Sequence, residues 1–359
     1  MITLENWRSA PHNKWAFHHV RELVPSAEIE NDPAAIRPLP EAKAGLPDLD
    51  AFLRETDTDA IVVLQRGRLV YERYFNGMKS SSQHILMSVS KSLLGLLAGQ
   101  LAARGKLDVD AQATRYVPEA KGTGFDGATV RDLLDMRSGI DFTEDYLATT
   151  GIMVEYRKST GWNPSDGKSD LHSFLVTVGR AQAHRGSFNY LSPNSDFLGW
   201  VMERAGGGRY ADLMSEHVWR PAGAERSAYV TVDRLGASRA AGGVCTTARD
   251  LARVGQWMIE KGGAWLEDIE TGGDAAAWSS GSLVEYFPGL PMHYRSKWYV
   301  VRGERPLVFG LGIHGQNLFV DRVAGLVVAK FSSQALPMDG PRTTQTLEAI
   351  SALRRALAP

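Results

Sequence analysis

Between residues 60 and 75 the chain reads AIVVLQRGRLVYERYF, two β-rich runs joined at Arg66-Gly67. The spacing predicts a hairpin, and with no crossover helix between the runs the pair is antiparallel. Just upstream, LPDLDAFLRETD (46–57) predicts a short helix. From Ile85 to Arg104 apolar and small residues dominate and Gly105 follows as a stop, so a helix is expected there. The middle of the chain, 106–270, reads mostly helical. TVRDLLDM opens at Thr129, a good N-cap residue, and DFLGWVMERAGG runs from Asp196 into a run of glycines. TARDLARVGQWMIEKGG carries Thr247 and Asp250 in capping-box spacing. After residue 296 the β signal returns in KWYVV, LVFGLGIHG, QNLFVD and GLVVAKFSS. TTQTLEAISALRRALA closes the chain as an amphipathic helix.

Strands near both ends with helices between them have a simple solution. An α/β (α+β) fold is expected, with one antiparallel sheet built from both termini, flanked by helices, and a mostly helical domain inserted between. The expected division is an extended N-terminal arm (1–47), a sheet domain (48–105 and 271–359) and a helical domain (106–270), with the helix of residues 85–104 at their interface.

Composition narrows the setting. The 359 residues carry 40 basic and 41 acidic side chains, a formal net charge of -1, and no local Lys/Arg block. Nucleic acid and anionic membrane surfaces are therefore not expected partners. One cysteine, Cys245, excludes an internal disulfide and a cysteine-based zinc cluster. No apolar run approaches the ~20 residues of a membrane span, and the N-terminal stretch lacks the apolar core of a signal peptide, so a cytoplasmic location is expected. The nine histidines form no metal-ligand spacing, and neither a metal nor an organic cofactor is expected. GLGIHG (310–315) matches a dinucleotide fingerprint in letters only, because strands rather than a helix follow it. No G-x-S-x-G elbow is present. A small-molecule partner is expected, and a homodimer is compatible with the sequence.

MSVSKSLLGLLAG (87–99) sets three serines and a lysine at the start of the apolar helix. Residues three apart share a helix face, so Ser88 and Lys91 point the same way, whereas Ser90 and Ser92 flank the lysine and face elsewhere. A lysine packed among leucines is desolvated and its pKa falls. A neutral amine can then take the proton of a serine hydroxyl, and free N–H groups at the helix start can stabilise an anion beside it. Taken alone, the same spacing also fits a lysine snorkelling to solvent.

Two further signals support the catalytic reading. Tyr190-x-Ser192 leads FNYLSPNSDFLGW in the middle of the chain, and the glycine-rich FGLGIHGQNLFVD follows near its end. Ser-x-x-Lys, Tyr-x-(Asn/Ser) and a late Gly-rich strand, in that order, resemble the serine β-lactamase and penicillin-binding-protein superfamily, and TVRDLLDMRSGI and AAGGVCTTARDLARVG are shaped like its class C branch. SVSKSLLG, DFTEDY, YLSPNSDFLGWVMERAGG, GGVCTTARDLARVG and GLGIHGQNLFVD…VVAKFSS resemble the 6-aminohexanoate-dimer (nylon-oligomer) hydrolases over nearly the whole chain. The resemblance implies that Ser88 attacks a carbonyl carbon and that Lys91 and Tyr190 form its proton network. Donors near the phenol would lower its pKa, so that Tyr190 can serve as base or relay. It also implies an oxyanion hole from the backbone N–H groups of Ser88 and Ile313, with Gly312 at the glycine of the family's Lys-Thr-Gly strand. Tyr146, in EDY, matches a tyrosine that contacts the leaving amine, and Ser192 and His314 fall in the substrate-binding region.

Departures refine this expectation. Gly310 and Leu311 replace the Lys-Thr of Lys-Thr-Gly, which speaks against β-lactamase or transpeptidase activity, and Ser192 replaces the Asn of Tyr-x-Asn. Amide-active members can carry Asn where this chain has Ala241, which implies weaker amide and stronger ester hydrolysis. The resulting expectation is a serine hydrolase acting through an acyl-enzyme on small linear amides. A short-chain carboxylesterase is the alternative, and a non-catalytic sensor that keeps the fold is the third.

Overall fold

In the computed structural model, which describes residues 1–357, the strands are β1 (Ser26–Ile29), β2 (Thr58–Gln65), β3 (Arg68–Tyr74), β4 (His84–Ile85), β5 (Ala228–Thr231), β6 (Val244–Thr246), β7 (Met292–Arg295), β8 (Trp298–Val301), β9 (Leu307–Gly312), β10 (Gln316–Asp321) and β11 (Leu326–Ser332). Seven of them form one antiparallel sheet in the order β3-β2-β11-β10-β9-β8-β7. The β2–β3 hairpin turns through Arg66 and Gly67, both at positive φ (49° and 75°), as a two-residue turn of matching twist requires. The sheet therefore joins the two ends of the chain.

Both faces of this sheet are covered, which explains why β2 and β11 read as unbroken apolar runs rather than alternating ones. Alternation decides which core each side chain joins. Ala60, Val62 and Leu64 face the core that holds Leu251, Val254 and Met258 of the helix Ala248–Lys261. Ile61 and Val63 face the opposite core, with Leu353 and Leu357 of the C-terminal helix Gly340–Leu357. The helix Ala248–Lys261, which lies inside the expected helical segment 106–270, thus packs on β11, β10 and β2 and belongs structurally with the sheet.

A second sheet, β1-β5-β6-β4, was not apparent from the pattern. Its strands are two to four residues long, too short for a period to register. β1 lies in the expected extended arm. That arm is woven into the body by this strand and by Trp7 and Phe17, both fully buried. Among the other helices, Val130–Leu134 starts at a Thr129–Asp132 capping box and Ser192–Gly206 starts four residues before the expected Asp196, with Pro193 in its first turn. No helix of the described residues is long and apolar enough to cross a membrane.

Candidate active site

β4 runs straight into the helix Val89–Ala103 through a sharp turn, in which buried Met87 takes φ 45° and Ser88 occupies the N-cap. This left-handed conformation is costly for a side chain that is not glycine, and such strain gathers where a group must be presented in one direction. The Ser88 side chain makes no cap hydrogen bond. Lys91 Nζ lies 2.7 Å from Ser88 Oγ and donates to the Ala241 carbonyl at 2.7 Å. The other two serines are committed to the backbone: Ser90 Oγ accepts from the Val244 N–H at 3.1 Å, and Ser92 Oγ donates to the Lys297 carbonyl at 3.0 Å. Only Ser88 keeps a hydroxyl free beside the amine.

Lys91 is 1% exposed. Burial pushes its pKa down to about 7, against the pull of the Glu144 and Asp196 carboxylates. A neutral amine has two donors and one lone pair, so it can donate to Ala241 and accept the Ser88 proton at once. Tyr190 completes the cluster. Its phenol lies near Ser88 and Tyr299, and Lys91 Nζ sits 5.0 Å from the centre of its ring. The expected lowering of the phenol is corrected here. Burial among Phe188, Tyr294 and Tyr299 raises it, and the nearby Ser88 hydroxyl offsets only part of that. In the free protein Lys91 is the group able to take a proton near neutrality, and Tyr190 is a donor.

The glycines of β9 bring the late strand against this turn. A Cβ on Gly312 would lie 2.6 Å from the Leu86 carbonyl and 3.1 Å from Ser88 N, and one on Gly310 would lie 2.6 Å from Ser92 Oγ. No larger residue fits either position without moving the strand. The chain leaves β9 at Ile313, whose N–H, like that of Ser88, carries no turn, loop or side-chain hydrogen bond among the described residues.

The remaining expected residues fall as follows. Tyr146 stands between two cavities. One, of 360 Å³, is lined by Tyr190, Asn189, Glu144 and Tyr286, and the other, of 550 Å³, by Ile313, His314, Arg157 and Arg8. Burial and the nearby Glu144 hold the Tyr146 phenol well above its usual range. Ser192 faces away from a free substrate role, because its N–H and hydroxyl both bond the Glu144 carboxylate, at 2.8 and 2.5 Å. His314, at φ 62°, lines the larger cavity while its Nδ1 bonds the Gln334 carbonyl at 2.7 Å and its ring meets Phe17. Burial lowers its pKa to about 4, so the ring is neutral.

Sequence reasoning missed Glu144, the support behind Ala241, and Arg8. Asp196 accepts from the Ala241 N–H at 2.7 Å and from Tyr156 OH at 2.5 Å and pairs with Arg239, all in the buried interior. This network aims the carbonyl that holds Lys91. Asp196 was read only as a helix start. The chain brings its partners from 40 or more positions away, and spacing carries no signal over such distances.

Comparison with known proteins agrees with this architecture. The family model described as Beta-lactamase matches residues 49–352. The 6-aminohexanoate-dimer hydrolase of Paenarthrobacter ureafaciens is 40% identical over 347 residues, 92% of this chain and 88% of that protein. Esterase EstB of Burkholderia gladioli is 27% identical over 187 residues, 48% of this chain and 47% of the esterase. The solved structure of "Putative 6-aminohexanoate-dimer hydrolase from Bacillus anthracis" superposes with a TM-score of 0.88 at 26% identity, covering 99% of this chain and 97% of that one.

Proposed function

The chain belongs to the beta-lactamase family, and on that premise we propose that it is a serine hydrolase cleaving small linear amides through an acyl-enzyme. The observation that carries this reading is the Ser88–Lys91 pair, a free hydroxyl 2.7 Å from a buried amine that titrates near 7. Ser88 Oγ bonds the carbonyl carbon while its proton passes to the lone pair of Lys91. The oxyanion is held by the N–H groups of Ser88 and Ile313, each such donor contributing about 3 kcal/mol to the transition state. The leaving nitrogen receives a proton through Tyr190 as the C–N bond breaks, and Tyr146 orients that half of the substrate. Water then attacks the acyl-enzyme, giving its proton back through the same groups and releasing the acid.

A second reading, a carboxylesterase on short acyl chains, is favoured by Ala241. Its side chain offers no amide to grip a substrate nitrogen, and an ester leaves without strong protonation of the leaving group. The similarity to Esterase EstB is in keeping with it.

Labelling with a fluorophosphonate, followed by mass spectrometry, tests the shared core. The expected adduct lies on Ser88, and Ser88→Ala abolishes both labelling and turnover. An adduct on Ser90 or Ser92, or no labelling, refutes the assignment. Relative kcat/KM on an amide and an aryl ester that share one linear acyl group then decides between amidase and esterase.

A further inference from the structure

The 550 Å³ cavity beyond Ile313 contains more positive charge than the protein neutralises. Arg8, from the N-terminal arm, lies against the edge-to-face pair Trp7 and Trp162, 5.6 and 5.9 Å from their ring centres, and donates to the Asn163 side chain. Arg157, from the helix Ile152–Ser159, donates to the carbonyls of Asp145, Tyr146 and Ala148. Neither guanidinium is ion-paired among the described residues, and the Nε of each is buried without a hydrogen-bond partner. Two guanidinium groups that line one cavity without a counter-ion favour an anionic ligand there.

The other charged groups do not supply one. Arg239, behind them, is paired with Asp196. His314 is neutral, and Glu5 lines the cavity from an exposed position. Asp145 and Glu144 lie near Arg157 without pairing with it, and Glu144 is engaged by Ser192. Mutual repulsion adds to the imbalance, since Arg157 and Arg239 push in the same direction as burial to bring the Arg8 pKa down to about 9.

The orientation of a substrate follows from the two cavities and rests on the reading of Ser88 as nucleophile. The leaving half must lie where a proton can reach it, in the cavity lined by Tyr190. The acyl half then runs past the oxyanion position at Ile313 toward Arg8 and Arg157. We infer that this cavity binds a carboxylate at the far end of the acyl group, so that the preferred substrates are half-amides or half-esters of linear dicarboxylic acids. Planar guanidinium groups match a carboxylate with paired N–H donors, and Arg8 is already positioned by the two indoles and Asn163.

Three 4-nitrophenyl esters of equal acyl length separate the outcomes: the mono-ester of adipate, the hexanoate, and the 6-aminohexanoate. The adipate ester is expected to exceed the hexanoate in kcat/KM by about 10-fold or more, the strength of a buried charge-assisted hydrogen bond, with the amine-ended ester slowest. Arg8→Gln should lower the adipate-to-hexanoate ratio by about that factor, and Arg8→Lys should restore part of it. Calorimetric titration of the unmodified protein with free adipate and with its uncharged diamide, adipamide, probes the cavity without turnover, and only adipate is expected to bind. Equal treatment of adipate and hexanoate esters, preference for the amine, or no difference between adipate and adipamide overturns the inference. Failure of Ser88 to label, with adipate still bound, overturns the hydrolase reading and leaves the anion site standing.

Discussion

Replacing Lys91 by methionine should make the protein more stable and nearly inactive, and the two effects have one origin. Methionine has a similar volume and no ammonium group. Lys91 holds a proton below about 7 in the folded state, against 10.5 for an unburied lysine. At pH 7 that difference is a burial cost on the order of 4 kcal/mol. The variant also loses the contacts to Ser88 Oγ and the Ala241 carbonyl, at about 1 kcal/mol each. A net gain of about 2 kcal/mol remains.

The pH dependence identifies its source. Below about 7 both folded and unfolded states hold the proton and the cost is in full force. Between there and 10.5 the unfolded state binds more protons, so wild-type stability rises with pH and the advantage of Lys91→Met fades. Burial lowers Lys330 as well, but that effect is the same in both proteins and cancels; Lys297 is lowered by burial and by the Lys91 charge, so losing Lys91 relieves it and adds to the gain at pH 7. Urea unfolding at pH 7 and pH 10 reads this directly. A variant less stable at pH 7, or an advantage unchanged at pH 10, refutes the claim that Lys91 is a desolvated, readily neutralised amine. Turnover should fall by about 10³-fold or more.

The wild-type kcat/KM should fall tenfold per pH unit below about 7, where Lys91 becomes protonated and cannot accept the Ser88 proton. Gly312→Ala places a methyl group 2.6 Å from the Leu86 carbonyl and 3.1 Å from Ser88 N. It should cut kcat by about 10²-fold through a displaced oxyanion hole, and an unaltered kcat would show that β9 does not supply it. Tyr146→Phe removes one hydroxyl at the boundary of the two cavities. The ratio of amide to 4-nitrophenyl ester hydrolysis should drop by about 10-fold, and equal losses on both would make Tyr146 a loop support only.

Local signals were legible where one element carries the whole message. The i, i+3 spacing of Ser88 and Lys91, the Arg66-Gly67 turn and the Thr129 and Thr247 caps all depend on residues within one turn of each other. The larger sheet followed because its strands are four to eight residues long and bounded by turn residues, although Met292–Arg295 was passed over. What stayed hidden was the environment. A phenol at Tyr190 was expected to fall in pKa because donors were counted, whereas Phe188 two positions away and Tyr294 and Tyr299 from a distant hairpin exclude the water that would stabilise a phenolate. Ser192 was expected at the substrate, whereas Glu144 had no signal marking it as the partner that occupies it.

The N-terminal arm shows why such environments escape a periodic reading, and what they add. Residues 1–47 alternate with neither period because they contribute single anchors rather than faces. Trp7 and Phe17 are buried, Asn13 Nδ2 donates to the Ser333 and Gln334 carbonyls, and the Phe17 carbonyl accepts from the Ile85 N–H. Each anchor lands on a segment that leads into the cleft: Ile85 precedes the nucleophile turn, and Gln334 holds His314 just beyond Ile313. Arg8 reaches the larger cavity only because Trp7 is fixed beside Trp162. The sheet and the serine helix alone would bring Ser88 and Lys91 together, but with one wall of the larger cavity missing. The Ser88–Lys91 pair is therefore set by local spacing, and one wall of the larger cavity by the least patterned part of the chain.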